Sequence, residues 1–347
     1  MPHLLPYAIA TMTPAALLGA ASLWGGVWAV AAVLAITVVV FFLDKLSVEV
    51  TPGEADGHRL SEVLGGVHFV LLGLAVWSMG QPLALPDKVL IVVGCGLYFG
   101  QISNSNAHEL IHRKARWPFR LGAACYTSML FGHHTSAHRL VHHVHAATDQ
   151  DPASARLGEG FWSYLPRTWI GSFQAGFQAE RRRRPERRGR PDGAWPQPYR
   201  WYVGGAVVTL AAAIALAGWP GLIGFVAIAL YAQVQLMLSD YVQHYGLRRA
   251  LRGDGRIEPM GPQHSWNTPH WYSSAMMLNA PRHSDHHLHP AKPFPTLGLD
   301  AETMPMLPRP LPVMAVVALV PPLWRRLMDH RAKRWQARTG DAALAAE

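Results

Sequence analysis

Histidines in four short stretches are the residues of this sequence best suited to metal chemistry. The 347-residue chain contains 19 histidines, a high number for its length. Nine of them recur within the four stretches: His108, His112, His138, His142, His143, His244, His283, His286 and His287. Residues three or four apart share one face of an α-helix, so the multi-histidine stretches can direct their imidazoles to one side. Nine nitrogens exceed what one ion can bind, and we therefore predict two metal ions with four or five imidazole ligands each.

The second stretch contains two adjacent histidines, which cannot point in the same direction. In an α-helix His138 and His142 share a face, whereas His143 is turned about 100° away from His142. Two interpretations follow: either His143 serves a different ion from its neighbour, or the helix is distorted. In the fourth stretch the spacing predicts that three imidazoles lie on one side, namely those of His283, His286 and His287.

Carboxylates beside the histidines are candidates to orient the rings by accepting their outer N–H groups. Glu109, Asp240 and Asp285 lie inside the stretches and are the predicted orienting residues. Asp149 and Asp151 follow the second stretch and are weaker candidates, because a simple turn also explains them. Of the other histidines, His133 and His134 are candidates to line the approach to the site, and His68 is interpreted as a packing residue.

The composition predicts that these stretches are carried by a membrane protein. Half of the residues are apolar and 15% are charged, against about 25% charged in ordinary soluble domains. Six apolar segments are candidate spans: Leu4 to Ser22, Leu23 to Leu43, Val63 to Met79, Lys88 to Ser103, Trp201 to Ala217 and Leu222 to Leu238. The first two can alternatively form one re-entrant hairpin. The predicted fold is an all-α polytopic bundle of about six transmembrane helices with a cytoplasmic histidine-rich cap.

The distribution of positive charge predicts the orientation of this bundle. The net charge is +9, but the basic residues gather in loops between apolar runs, so we do not expect a nucleic-acid partner. Segment 181–190 holds seven arginines and segment 44–62 holds Lys45 and Arg59, whereas the links 80–87 and 218–221 hold no arginine or lysine. This asymmetry predicts a bacterial inner-membrane protein whose histidine stretches face the cytoplasm.

Polarity also predicts two domains along the chain. Residues 1–247 form the predicted transmembrane helical domain with the first three histidine stretches, and residues 248–347 form a cytoplasmic cap with the fourth stretch and a basic tail. Segment 248–312 is too polar and proline-rich to cross a bilayer. The apolar segment Leu311 to Leu323 is too short for a span, and we predict an interfacial helix there.

The histidine stretches and their neighbours resemble the integral-membrane alkane 1-monooxygenase family, a branch of the membrane fatty acid desaturase and hydroxylase group. The matching motifs occur in the family's order: HELIHRK at 108–114, HRLVHH at 138–143, DYVQHYGLRR at 240–249, RHSDHH at 282–287 and PPLWRRLMDHR at 321–331. The combination is specific, although each motif alone is not, and the resemblance extends from about residue 10 to residue 335.

The resemblance implies a six-helix bundle in which the nine histidines bind two iron ions. It further implies hydroxylation of the terminal carbon of an alkane by O₂, with the apolar substrate entering from the membrane lipid. Electrons are expected from rubredoxin or a ferredoxin-type carrier with its reductase. Five residues depart from the family pattern, and they put the substrate in question more than the reaction: Ala137, Val141, Asp240, Gln243 and Pro281.

Three other functions are compatible with parts of the sequence. His108-Glu109-x-x-His112 is also the motif of zinc proteases, with Glu109 as general base, but one zinc ion leaves six further clustered histidines unexplained. A lipid, terpene or alkyl-aromatic hydroxylase or desaturase shares the implied fold and metals. A metal transporter is a third possibility, and its ligands are expected at mid-membrane rather than at helix ends.

Overall fold

The structure is an all-helical bundle, as predicted. It is a computed structural model that describes residues 4–46, 53, 56–183 and 195–344. Twelve helices are numbered here in chain order: α1 Leu5–Trp24, α2 Val27–Leu43, α3 His58–Met79, α4 Leu85–Ile111, α5 Arg116–Ser128, α6 134–145, α7 Phe161–Arg183, α8 Gln197–His244, α9 Trp271–Met276, α10 His283–Leu288, α11 Leu311–Ala318 and α12 Pro321–Leu344.

Four of these helices, α1, α3, α4 and α8, are long and apolar enough to cross a membrane. Helix α2 is apolar but shorter. Helix α8 has 48 residues and is interrupted at Ala217 and Gly218, whose backbone angles are not helical. Five of the six predicted apolar segments therefore lie essentially within one helix, two of them in the two halves of α8, whereas Leu23 to Leu43 crosses the Gly25–Gly26 break between α1 and α2. The predicted membrane-bundle class is confirmed.

The tight links between the long helices lie together at one end of the bundle. Gly25, between α1 and α2, has a φ of +61° that disfavours side chains with a Cβ, and a Cβ there would approach Asp87 at the start of α4. A Cβ on Gly80, at the end of α3, would contact Ala217 in the break of α8. His108 lies 23 residues after Leu85 on α4, about 35 Å along the helix axis. The histidines and the tight links are therefore at opposite ends.

Helix α4 is longer than predicted and carries the first histidine stretch on the same continuous helix as the fourth span. It runs from Leu85 to Ile111 and contains one wider π-helical turn at Phe99–Ser103. The span was predicted to end at Ser103. Because the helix continues, His108 is held by the rigid span itself rather than by a following loop.

The predicted interfacial helix 311–323 differs from the structure. Helix α11 ends at Ala318, and a second helix, α12, starts at Pro321. Consecutive prolines explain the break, because proline fits the first turn of a helix and disfavours helical backbone in the residue before it. The basic tail then forms α12. Residues 184–190 of the arginine-rich segment lie outside the described residues.

Helix α7, 23 residues long, was not among the predicted elements. Its buried residues repeat every three or four positions: Phe161, Tyr164, Thr168, Ser172, Gly176 and Glu180. This periodicity is that of a helix with one buried face. It includes small and polar residues, so a search for apolar side chains alone does not detect it.

The segment between α8 and α10 is fixed to the first two helices by polar contacts. Asp44, at the end of α2, accepts hydrogen bonds from the backbone N–H groups of Tyr272 and Ser273 in the first turn of α9, at 3.0 and 2.9 Å. The Nδ2 of Asn279 donates to the hydroxyl of Tyr7 on α1, at 2.6 Å. A carboxylate at the amino end of a helix also interacts favourably with the helix dipole. Asp44 therefore joins the bundle to the segment that precedes α10.

Replacing Asp44 with alanine is expected to destabilise the protein by about 1–3 kcal/mol, because two buried N–H groups lose a charged acceptor. The measurement is the midpoint temperature of unfolding in detergent. Asp254→Ala is the control, since Asp254 accepts a similar local hydrogen bond from the N–H of Arg256 in an exposed turn. Equal midpoints for the two variants would contradict the prediction.

Candidate metal centre

All nine predicted histidines converge, and the structure divides them into two neighbouring groups. The five-histidine group contains His108, His112, His138, His143 and His286. The four-histidine group contains His142, His244, His283 and His287. Within each group one nitrogen from every ring lies within 4.8 Å of the others. Imidazoles from α4, α6, α8 and α10 thus meet at one end of the bundle.

The four-histidine group contains a triangle of ring nitrogens. The Nε2 atom of His244 lies 2.9 Å from that of His283 and 3.3 Å from that of His287, and the last two are 3.1 Å apart. The Nε2 atom of His142 in the same group is buried and has no hydrogen-bond partner among the described residues. All four side chains are buried.

The five-histidine group has the same character. The Nε2 atom of His138 lies 2.7 Å from that of His108 and 2.9 Å from that of His143. His286 completes the chain, with its Nε2 atom 3.2 Å from that of His143. The Nε2 atom of His112 is buried without a hydrogen-bond partner in the described part of the chain.

These distances fit a pair of cation sites better than a network of hydrogen bonds. A neutral imidazole has one N–H donor and one acceptor, so three Nε2 atoms about 3 Å apart cannot all be satisfied by one another. Two nitrogens that each bind the same metal ion at about 2.1 Å, with an angle of about 90° between the two bonds, are about 3.0 Å apart. The unpartnered Nε2 atoms of His112 and His142 also need a partner that the described part of the chain does not supply. The donor set therefore fits two transition-metal ions.

A π-helical turn at His138–His142 determines how the second stretch is shared. In a π-helix the backbone hydrogen bond joins residues five apart, so residue i+5 replaces i+4 as the neighbour on the same face. His138 is accordingly grouped with His143, and His142 belongs to the other group. His138 and His142 still lie side by side, with stacked rings whose centroids are 5.1 Å apart, although the two histidines belong to different groups. Of the two interpretations of the adjacent pair, both apply: the helix is distorted and the neighbours are in different groups.

The fourth stretch on α10 also contributes to both groups. His283 and His287, four residues apart, belong to the four-histidine group. His286 belongs to the five-histidine group, so the three imidazoles do not serve one site. α10 therefore lies across the boundary between the groups.

Asp151 is the carboxylate that contacts a ring of the cluster. His142 donates its Nδ1–H to Asp151 Oδ2 at 2.9 Å, which leaves Nε2 of His142 free to face the four-histidine group. The carboxylate is buried and is itself held by the Ser154 hydroxyl at 2.7 Å and the Ala153 N–H at 3.0 Å. A fixed carboxylate of this kind sets the tautomer of a metal-binding histidine. Asp151 was a weaker candidate in the sequence, and the turn interpretation of its segment also holds, because Asp151 accepts the local N–H of Ala153.

The three carboxylates predicted to orient rings are placed differently. Glu109 forms an ion pair with Arg113. Among the described residues, it makes no hydrogen bond to any of the nine rings. Asp285 accepts hydrogen bonds from Lys292 and from His289, which is outside the nine. Asp240 lies near His142 and adds to its favourable electrostatic surroundings. The Glu109–Arg113 pair and the five-histidine setting of His108 both disfavour the zinc-protease interpretation.

Burial keeps most of the rings outside the spans neutral. Burial and neighbouring imidazoles lower the pKa of His138, His283 and His286 well below the usual value. Burial also lowers the pKa of His142, but the charge and hydrogen bond of Asp151 outweigh this effect, and the net pKa is raised. The same contact holds the pKa of Asp151 below its usual value despite burial. Neutral imidazoles with free lone pairs are the form that binds metal.

Two further histidines that belong to neither group are also buried. The His134 ring centroid is 5.1 Å from that of His138 and 4.8 Å from that of Tyr126. His68 on α3 is held between the hydroxyls of Ser103 and Ser128, at 2.5 and 2.7 Å. The interpretation of His68 as a packing residue agrees with its burial within α3.

Comparison with known proteins gives one family and a consistent set of relatives. The profile of the fatty acid desaturase family matches residues 88–318. The chain is 32% identical to alkane 1-monooxygenase 2 of Pseudomonas aeruginosa, over 83% of this chain and 77% of that protein. It is 28% identical to alkane 1-monooxygenase 1 of the same organism, over 89% and 84% of the two chains. It is also 26% identical to the hydroxylase component of a xylene/toluene monooxygenase from Pseudomonas putida, over 77% and 72%.

Replacing Asp151 with alanine is expected to weaken metal binding by about 10–100-fold, because His142 loses the acceptor that orients its ring. The measurement is the metal content of purified protein titrated with ferrous iron. Asp149→Ala is the matched control, since Asp149 is exposed and pairs with Arg156 and Arg248 instead of a cluster ring. Asp151→Asn should fall between the two, and an alanine variant with wild-type affinity would refute the assigned role.

Proposed function

The chain belongs to the fatty acid desaturase family, and from this premise we propose that it is a membrane di-iron monooxygenase that hydroxylates the terminal carbon of an alkane. The observation that carries the proposal is the convergence of nine imidazoles into two adjacent groups at one end of a membrane bundle. In the proposed site the five-histidine group holds one iron ion and the four-histidine group holds the other. The enzyme class, an oxidoreductase, follows from the alkane 1-monooxygenase relatives.

Iron is proposed because the reaction class needs a redox metal. Imidazole ligands suit iron, zinc and copper, but zinc does not change its oxidation state. When bound, the two iron ions would supply the oxygen activation and electron transfer that no amino-acid side chain provides. The protein's own contribution is to fix nine ring positions, to orient His142 through Asp151, and to bury most of the rings away from water.

A cleft between α2, α4, α8 and α11 is the proposed access route for an apolar substrate. It has a volume of about 410 Å³ and is lined by side chains that include Val33, Ile36, Val93 and Leu97. These residues lie on helices of the membrane bundle, so a hydrocarbon dissolved in the lipid can reach them without crossing water.

The inner end of the cleft leads towards the histidines through Asn104. This residue lines both the cleft and a small internal cavity that is bounded by Ala107 and Tyr126. The Tyr126 hydroxyl donates to Asn104 Oδ1 at 3.0 Å. None of the nine histidines lines this cavity, but Tyr126 packs against His134, and His134 packs against His138 of the five-histidine group. We therefore place the end of the substrate chain between Asn104 and His108.

An alkyl-aromatic substrate is the second candidate, favoured by one observation. The hydroxylase component of a xylene/toluene monooxygenase is related to this chain along most of its length. A methyl group on an aromatic ring is also an unfunctionalised terminal carbon. The neighbouring residues that depart from the alkane family pattern, among them Ala137 and Gln243, leave room for such a difference in substrate.

The proposed setting is a bacterial inner membrane, with the histidine groups facing the cytoplasm. The links 80–87 and 218–221 contain no lysine or arginine. They lie at the end of the bundle opposite to the histidines, where Gly80 approaches Ala217. Positive residues mark the cytoplasmic side of membrane proteins. Electrons are proposed to come from a rubredoxin or ferredoxin-type carrier and its reductase in the same compartment.

The wild-type protein is expected to hold two iron ions per chain. Replacing one histidine ligand in either group should remove about one of these ions. His286→Ala tests the five-histidine group, and His283→Ala tests the four-histidine group. His289→Ala is the matched control on the same segment, because its exposed ring contacts Asp285 rather than the cluster. Metal content is measured by mass spectrometry after anaerobic loading. One zinc ion in the wild type, or two irons in both variants, would exclude the proposed site.

Membranes containing the protein are expected to convert alkanes to 1-alkanols when supplied with O₂, rubredoxin, its reductase and reduced nicotinamide cofactor. The measurement is gas chromatography of products from a panel of alkanes, alkylbenzenes and fatty acids. Benzylic alcohols alone would favour the alkyl-aromatic alternative, and double bonds alone would indicate a desaturase.

The access route is tested in the same assay with Val93→Trp, which narrows the cleft. Turnover of long alkanes should fall by roughly tenfold or more, because a pocket discriminates strongly against misfitting groups. Val207→Trp adds the same side chain at an exposed position of α8 outside the cleft and should retain activity. Equal activity of the two variants would place the route elsewhere.

A further inference from the structure

A groove of about 1030 Å³ lies between α5, α6, α7 and α8, apart from the proposed substrate cleft. None of the nine clustered histidines lines it. Its walls combine apolar and small side chains with three arginines, on helices that continue into the membrane bundle. This combination of shape and charge has no part in the proposed hydroxylation.

The surface of the groove is more apolar than polar, and part of it follows α8. Trp201, Gly205 and Thr209 follow each other at intervals of four residues along α8, a stripe about 12 Å long. Ala123 and Ala124 of α5 form part of the opposite wall. Gly205 allows a close approach of α5, since a Cβ at this position would lie 2.5 Å from Thr127 Cγ2, and Trp201 is exposed at a position typical of membrane interfaces.

Positive charge gathers around Phe119 in the same groove. The Arg139 guanidinium lies 4.9 Å from the Phe119 ring, and Arg120 is the adjacent residue on α5. Arg183, at the end of α7, is close enough to repel Arg139. Three guanidinium groups from three helices therefore share one concave, partly apolar surface. Glu180 in the same groove offsets part of the repulsion at Arg139. Arginines gathered on one surface are nevertheless the side chains best suited to bind phosphate.

One acidic residue also lines the groove but is already engaged. Glu180 is buried and accepts a hydrogen bond from the Ser136 hydroxyl at 2.8 Å. The Ser136 hydroxyl is in turn 2.9 Å from that of Tyr202. With three arginines and one glutamate among its lining residues, the groove keeps an excess of positive charge.

We propose that this groove is a binding site for an anionic membrane phospholipid. The phosphate lies among Arg120, Arg139 and Arg183, and one acyl chain follows α8 past Trp201 towards Thr209. Charge complementarity favours an anion, and the apolar part of the lining favours an anion that carries a hydrocarbon chain. An acidic protein carrier has the charge but would not fill a cavity between helices.

The test uses the full-length protein in a neutral detergent and measures lipid binding by native mass spectrometry. Wild-type protein should retain dioleoylphosphatidylglycerol at least tenfold more tightly than dioleoylphosphatidylcholine. The double variant R120Q/R183Q should lose this preference. R181Q/R182Q is the matched control, because these arginines are exposed on the same turn of α7 but do not line the groove.

A second variant separates the lipid from other anions. Ala124→Phe fills the apolar wall without changing charge and should weaken phosphatidylglycerol binding, whereas Ala212→Phe, on an exposed part of α8 outside the groove, should not. Inorganic phosphate at millimolar concentration should fail to displace the lipid. Equal affinity for the two lipids, unchanged binding in R120Q/R183Q or in Ala124→Phe, or displacement by phosphate would each overturn the proposal. Size-exclusion profiles and metal content confirm that the variants are folded.

Discussion

The arrangement of this protein depends on the cost of burying ring nitrogens that have no partner. Nine imidazoles from four helices meet in a small volume, and their Nε2 atoms approach one another to about 3 Å in both groups. Neutral rings cannot satisfy each other at that density, so the arrangement is favourable when cations share their lone pairs. The long helices α4 and α8 bring His108 and His244 to the same end of the bundle, and the cap adds α10. These three elements therefore hold together, away from water, rings whose buried nitrogens have no hydrogen-bond partner among the described residues.

Much of this was predictable from sequence, because the relevant patterns are local. Apolar length predicted the helical bundle, in which four helices are long and apolar enough to cross a membrane, and Gly25, Gly26 and Gly218 in the predicted links have the positive φ that glycine permits. Histidine spacing predicted the nine converging residues. A total of nine also predicted a division into four and five, since one ion cannot use them all.

The rest depended on contacts that no local pattern encodes. A π-helical turn changes the periodicity by a single residue, and the letters HRLVHH fit an α-helix equally well, so the grouping of His138 with His143 was not predictable. The chain turns after α6, and this turn allows Asp151 to accept a hydrogen bond from His142. Glu109 lies inside the first histidine motif but forms an ion pair with Arg113. Helix α7 was missed because its buried face includes Thr168, Ser172 and Glu180 rather than a continuous apolar stripe.

In each of the adjacent pairs His142–His143 and His286–His287, one histidine belongs to the five-histidine group and the other belongs to the four-histidine group. Consecutive Cα atoms are about 3.8 Å apart, and this length does not change with temperature or with helix packing. One peptide unit in each pair therefore joins the five-histidine group to the four-histidine group, whatever the packing of the surrounding helices. A bilayer of different thickness can tilt the long helices, yet these covalent links would limit the distance between two metal ions held by the groups. Inserting or deleting one residue within either pair would thus alter both groups at once.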